Sequence, residues 1–311
     1  MRTLQLIAPR GYCAGVERAI ETVERAIEAN PGRPVHVRGE IVHNRHVVAG
    51  LAERGAVFVD DLDHVPEGGL VVLSAHGSAP EVYDHARRRT LDVVDATCPL
   101  VSKVHAEVRR WASRGLTVLL VGHAGHDEVV GTMGEAPEHV VLVQTVADAE
   151  TVEVADPERV ALATQTTLSL DDTTAIVATL RRRFPALQEP ATSDICYATQ
   201  NRQDAVKGAV DGPAPAELVM VVGSANSSNS QRLVEVARAG GADAHLIDDA
   251  SEIDPAWLEG RERVALTAGA SAPERLVREV ADRLRAAGYG VAGEDVPFSE
   301  GTVFALPRAV R

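Results

Sequence analysis

Three cysteines, Cys13, Cys98 and Cys196, are the residues whose type and placement point most directly to chemistry. Cys13 lies in APRGYCAGVERAIETV, where the apolar stretch Leu4 to Ile7 gives way to a helical pattern with Val16, Ile20, Val23 and Ile27 on one face. Cys98 follows LDVVDAT and precedes Pro99, a residue suited to a first helical position, with Val101, Val104, Val108 and Trp111 as the buried stripe. Cys196, in SDICYATQNRQDAVKGAV, has the same setting less clearly. A single cysteine taken alone reads as an inert core residue. At a strand-to-helix turn it reads differently, because the N–H groups and positive helix end found there favour ligands and thiolates.

The cysteines stand 85 and 98 residues apart with no C-x-x-C pair, so zinc-ribbon and thioredoxin chemistry lack their local signatures. Their odd number speaks against a disulfide framework. Any joint role must be assembled by the fold. Three thiolates at one point could hold zinc, although structural zinc takes four ligands. They could equally hold a 4Fe-4S cluster with one iron left open, able to act as a Lewis acid and an electron relay. Residue types alone leave these options and the plain buried thiol open.

A second set of residues sits in polar loops: His43 (EIVHN), His76 (SAHGSAP), His126 and Glu128 (GHAGHDEV), Thr166 and Thr167 (TQTT), Ser227, Ser228 and Asn229 (NSSN), and Ser271 (GASAP). Hydroxyls, amides and imidazoles before helices can hold a phosphate through hydrogen bonds and helix dipoles with few cationic side chains. Each of the small polar residues also has the ordinary reading of a helix N-cap.

The elements that must position these loops repeat. Each cysteine-headed helix is followed by two further units of strand, polar loop and helix, and AHGSAPEVYDHA and AGASAPERLVREVA share a SAPE core. This rhythm predicts an α/β fold of three small units with parallel sheets, and if they are related by pseudo-threefold symmetry the three cysteine loops meet at one central point. The expected boundaries are 14–97 for the first unit, 98–195 for the second, 1–13 plus 196–287 for the third, and 288–311 for a C-terminal arm.

Composition narrows the function. In 311 residues, 45% hydrophobic content is that of a globular chain, and a net charge of −14 opposes general nucleic-acid binding, which needs concentrated Lys and Arg. A small anionic substrate remains compatible, since a local site can oppose the global field. No apolar run is long enough to span a bilayer and MRTLQLIAPRG lacks a signal-peptide pattern, so a cytoplasmic protein with no membrane partner is expected.

PRGYCAGVERAI, EIVHN, SAHG, DATCPLV, GHAGHDEVVGTMG, TQTTLS, CYATQNRQ, GSANSSNS and TAGASAP, spread in order over residues 8–273, together closely resemble the 4-hydroxy-3-methylbut-2-enyl diphosphate reductase family, also called LytB or IspH. The resemblance implies three α/β units in a trefoil around one 4Fe-4S cluster held by three cysteines with one open iron site. It further implies reductive dehydroxylation of 4-hydroxy-3-methylbut-2-enyl diphosphate to isopentenyl and dimethylallyl diphosphate, the last step of the non-mevalonate isoprenoid route, with ferredoxin or flavodoxin as external electron donor.

Carried over by motif, Cys13, Cys98 and Cys196 would be the cluster ligands and Glu128 the proton donor. His43, His76, Ser227, Asn229 and Ser271, with Ser228 contributing, would hold the diphosphate. His126 and Thr166 would sit near the substrate hydroxyl, with Thr167 a neighbour of open role. Tyr12, Asp127 and Ala225 depart from the residues common in the family at their positions. Two other readings compete: an iron-sulfur dehydratase of the quinolinate synthase type, whose carboxylate substrates would call for more Arg and Lys in the loops, and a non-catalytic iron-sulfur sensor.

Overall fold

The structure is a computed structural model that describes residues 2–292 and 300–311; Met1 and, within the expected C-terminal arm, residues 293–299 lie outside it. In chain order the elements are β1 (Thr3–Leu6), α1 (Ala14–Ala29), β2 (Val35–Arg38), α2 (Arg45–Glu53), β3 (Ala56–Val59), β4 (Leu70–Leu73), α3 (Pro80–Arg88) and β5 (Asp92–Asp95). They continue as α4 (Pro99–Ser113), β6 (Thr117–Val121), α5 (Asp127–Gly134), β7 (Val140–Val143), α6 (Val146–Thr151), β8 (Val160–Thr164) and α7 (Leu170–Arg183). The last are α8 (Tyr197–Asp211), β9 (Leu218–Val222), α9 (Ser228–Ala239), β10 (Asp243–Ile247), β11 (Arg263–Ala268), α10 (Glu274–Ala286) and β12 (Gly290–Val291).

The strands form three separate sheets, ordered β3-β2-β4-β5, β7-β6-β8 and β10-β9-β11-β1-β12, with all pairings parallel. The strands LVVL, VALAT and LVMVV are buried along their whole length. Such continuous apolar runs are what parallel strands covered by helices on both faces require.

One topology recurs three times. In each sheet the first strand is central, the second lies at its outer edge and the third on its other side. A further extended segment then pairs with the third strand: β5 beside β4, β1 beside β11, and the single bridge of Gln188 to Ala161 beside β8. That extra segment leads directly into a cysteine in every case, namely Cys98, Cys13 and Cys196.

The chain divides into two compact units, Met1–Glu17 with His43–Ala49 and Tyr197–Val303, and Arg18–Val42 with Gly50–Cys196 and Phe304–Arg311. The first unit has its core on the β9 sheet. There α10 buries Leu276, Val277, Val280, Ala281 and Leu284 against Leu4, Leu218, Met220 and Leu266. Each large side chain of that stripe contributes about 1.5–3 kcal/mol on burial. The second unit has separate cores on its two sheets, one around Leu62, Val65 and Val71 and others around Leu119, Val121 and Leu162 and around Val104, Val108 and Trp111.

Candidate active site

The three cysteines occupy equivalent backbone positions. Cys13 donates its N–H to Ala270 O (3.1 Å), Cys98 to Ala75 O (3.0 Å) and Cys196 to Thr166 O (3.1 Å). Each acceptor stands two residues past the end of the third strand of its sheet, β11, β4 and β8 respectively. Every cysteine turn is thus tied to the loop that carries a polar candidate, Ser271, His76 or Thr166 itself. The residue after each cysteine begins a helix, and Cys98, although the N-cap of α4, does not cap it with its side chain.

In the second unit, Glu128 is the most enclosed of the candidates, 2% exposed in the first turn of α5. Thr166 engages both of its carboxylate oxygens: Oε1 accepts the Thr166 N–H at 2.7 Å and Oε2 accepts the Thr166 hydroxyl at 2.9 Å. His126 caps the same helix, its Nδ1 accepting the Glu128 N–H at 3.2 Å. An accepting Nδ1 is unprotonated, so the ring carries its proton on Nε2. His76 packs edge-on to His126 with ring centroids 6.0 Å apart, and its Nδ1 lies 3.4 Å from Ser74 Oγ. Gly77, at φ 82°, is required after it, because a Cβ there would stand 2.9 Å from the His105 ring. Thr167 Oγ1 accepts from Gln165 Nε2 at 3.0 Å, while Gln165 Oε1 accepts the His123 N–H.

In the first unit, His43, Ser227, Ser228, Asn229 and Ser271 come together. Ser271 Oγ donates to His43 O at 2.9 Å, and Asn226 Nδ2 lies 3.4 Å from His43 Nδ1. Asn229 Oδ1 accepts the Ala270 N–H at 2.9 Å, which fixes the amide so that Nδ2 turns to Thr199 Oγ1 at 3.4 Å. Ser227 caps α9 and accepts twice, from Ser230 N–H at 3.3 Å and from Ser230 Oγ at 3.0 Å. With both lone pairs engaged, the Ser227 hydroxyl is left as a donor. Ser228 follows as the first helical residue and is buried.

Sequence reasoning missed Ser230 and Thr199. Ser230 packs where a Cβ on Gly223 or Gly269 would lie 2.2 or 2.0 Å from its Oγ, so both strand ends need glycine. The pairing of those glycines with a serine one turn into a helix has no local sequence signal. Thr199 stands inside CYATQ, but nothing in that string marks its hydroxyl as facing Asn229.

A family model described as LytB protein matches residues 4–285. The chain belongs to the LytB family. It is 59% identical over 308 residues to the 4-hydroxy-3-methylbut-2-enyl diphosphate reductase of Mycolicibacterium paratuberculosis, covering 98% of this chain and 91% of that protein. With the protein of the same name from Acidothermus cellulolyticus the identity is 58%, over 100% of this chain and 90% of that one. The solved structure of the E-1-hydroxy-2-methyl-but-2-enyl-4-diphosphate reductase from Plasmodium falciparum matches with a TM-score of 0.94 at 36% identity, covering 99% of this chain and 96% of that one. A second solved structure, of an (E)-4-hydroxy-3-methyl-but-2-enyl diphosphate reductase, matches with a TM-score of 0.62 at 29% identity, covering 92% and 100%. The LytB fold class, three pseudo-symmetric α/β units with small parallel sheets, is therefore that of this chain.

The donor set fits the LytB cofactor. All three cysteines are free of disulfides, and the chain has no fourth cysteine. Three soft thiolates match a 4Fe-4S cluster with one iron left open. Burial pushes the Cys13 thiol up, against the opposing pull of the Val16 and Gly15 N–H groups and of Arg202. A buried thiol of this kind is deprotonated when it ligates metal.

Proposed function

We propose that this chain is a 4-hydroxy-3-methylbut-2-enyl diphosphate reductase. It cleaves the C–O bond of the substrate's allylic hydroxyl, consuming two electrons and two protons and releasing water, with isopentenyl and dimethylallyl diphosphate as products. The observation that carries this reading is family membership over residues 4–285 together with a carboxylate, Glu128, tied through Thr166 to a cysteine turn. When bound, the cluster supplies electrons and a Lewis-acidic iron for an oxygen ligand.

The chain's own residues do the rest. Cys13, Cys98 and Cys196 hold the cluster. Glu128 is the proton donor to the departing hydroxyl, and Thr166 aims its carboxyl group from two sides. His126 caps the helix under Glu128 and presents its Nε2–H to the hydroxyl end of the substrate. Ser227, Ser228, Asn229, Ser271, His43 and His76 bind the diphosphate through neutral donors and the α9 N-terminus, orienting the allylic carbon. The Ser271 hydroxyl, engaged with His43 O in this structure, turns to the phosphate on binding.

We take the units as 14–97, 98–195 and 1–13 with 196–287, each boundary between them falling at a cysteine turn. Reduction draws on an external carrier of the ferredoxin or flavodoxin type. A cytoplasmic setting suits three thiols that form no disulfide, and no described helix is long and apolar enough to cross a membrane.

The test is anaerobic turnover: reconstituted protein, reduced viologen and 4-hydroxy-3-methylbut-2-enyl diphosphate. Substrate-dependent dye oxidation with both C5 diphosphates as products is expected; an intact cluster with no turnover would overturn the reading.

A further inference from the structure

Three long cationic side chains lie where no catalytic step needs them, and they follow one rule. Arg18 Nη1 donates to Ala96 O at 2.9 Å and to Thr97 O at 3.0 Å, the two carbonyls just before Cys98. Lys103 Nζ donates to Thr192 O at 2.8 Å, Ser193 O at 3.3 Å and Asp194 Oδ1 at 2.9 Å, in the segment just before Cys196. Arg202 Nη2 donates to Gly11 O at 2.8 Å, two residues before Cys13.

The origin of each cation repeats as well. Arg18 stands five residues after Cys13 on α1, Lys103 five after Cys98 on α4, and Arg202 six after Cys196 on α8. Each helix that starts at one cysteine therefore sends a cation, about one and a half turns along, to the backbone that carries another. In sequence the order is cyclic: the Cys13 helix holds the Cys98 turn, the Cys98 helix the Cys196 turn, and the Cys196 helix the Cys13 turn.

We propose that Arg18, Lys103 and Arg202 are positioning residues for the three thiols, a repeated clamp that fixes the backbone of each cysteine turn from a helix headed by another. This rests on the reading of the cysteines as cluster ligands. Ordinary surface cations bonding turn carbonyls would not recur at equivalent positions. Arg202 is 1% exposed and Lys103 delivers all three of its donors to three acceptors.

A carboxylate or the C-terminal arm completes each clamp. Asp194, fully buried at its side chain, takes Lys103 on one oxygen and the Thr164 N–H on the other. Glu300 lies 3.1 Å from Arg202 Nη1 through both oxygens and accepts from Asn201 Nδ2. Ala305 O accepts from Arg18 Nε at 2.9 Å. A buried ion pair is weak support for stability, since desolvation offsets most of its attraction, so its presence behind a ligand turn calls for another role. Partners standing behind metal ligands fix ligand orientation, and their loss weakens metal retention.

The experiment uses full-length, anaerobically reconstituted protein carrying Arg18→Gln, Lys103→Gln or Arg202→Gln, with the gentler Asp194→Asn and Glu300→Gln, and Arg18→Lys and Arg202→Lys as conservative variants. Iron release to a ferrous chelator, the spectrum of the reduced cluster and thermal unfolding of the apoprotein are measured. Each Gln variant is expected to release iron about tenfold or more faster, in the range seen on removing a group behind a ligand. The carboxylate variants are expected to move in the same direction by less, the Lys variants to recover part of the loss, and the cluster spectrum to change. If apoprotein melting falls while iron release and spectrum match the parent in the three cation-to-Gln variants and in Asp194→Asn and Glu300→Gln, the residues are structural and the inference is overturned. Cys13→Ser, Cys98→Ser and Cys196→Ser separate the two failures: full cluster retention in these would sink the ligand reading itself.

Discussion

Glu128 and Thr166 are joined at both carboxylate oxygens, by the Thr166 N–H at 2.7 Å and its hydroxyl at 2.9 Å, while the same residue's carbonyl accepts the Cys196 N–H at 3.1 Å. One threonine thus sets the distance between the proposed acid and a cysteine turn. Glu128→Gln is expected to fold and take up its cluster but to lose about 10²-fold or more in turnover, the scale of a lost general acid. Thr166→Val keeps the N–H bond and loses the hydroxyl. Losing one of the two bonds that aim the acid is expected to lower turnover by about 10- to 100-fold, the scale of a misplaced catalytic group. Steady-state kinetics at matched iron content check both.

Ser230 fills the space between Gly223 and Gly269 under the proposed diphosphate loop. Gly269→Ala puts a methyl group against Ser230 Oγ and is expected to cost about 1–3 kcal/mol, as overpacking does. Adding Ser230→Ala removes the closest atom, so the double variant is expected to be less destabilised than the sum of the singles. Chemical denaturation of the four proteins closes the cycle; strict additivity would contradict the packing account.

Asp249 fixes the start of α2, just after His43, by accepting from Arg45 Nη2 at 2.9 Å and contacting His46 Nε2 at 3.0 Å. Hydrogen bonds from the Ser251 hydroxyl and N–H, with Arg45 and His46 adding to them, hold its pKa at about 2, below the ordinary 3.8. A depressed carboxylate stabilises the fold above its unfolded value and loses that contribution as pH falls through the folded one. The parent is therefore expected to melt above Asp249→Asn near neutral pH, with the gap closing between about pH 4 and about pH 2. A gap independent of pH would contradict this.

Much of this architecture is legible in the sequence, for physical reasons. Central parallel strands must be continuously apolar, so VVL, VLLV and LVMVV announce themselves, and the Cys98 turn is marked by the strand before it and Pro99 after it. Cys196 is less legible because the segment before it contributes only the Gln188 bridge, which needs no apolar run. The edge strands β3 and β7 are four residues each and partly exposed, too short to stand out from loops. Glu128 and the serine loops are visible as polar residues ahead of helices, yet the two hydrogen bonds from Thr166 depend on packing between segments 38 residues apart. The cations behind the cysteines were invisible because a charged residue on an amphipathic helix looks solvated until its acceptors are known.

The central claim is that three thiols hold a cluster whose remaining iron meets the substrate. Its most direct test is Mössbauer spectroscopy of anaerobically reconstituted, iron-57-labelled protein with and without 4-hydroxy-3-methylbut-2-enyl diphosphate. One iron subsite distinct from the rest, and altered by substrate alone, is the predicted result. Irons that are all equivalent and unmoved by substrate at saturating concentration would contradict the account.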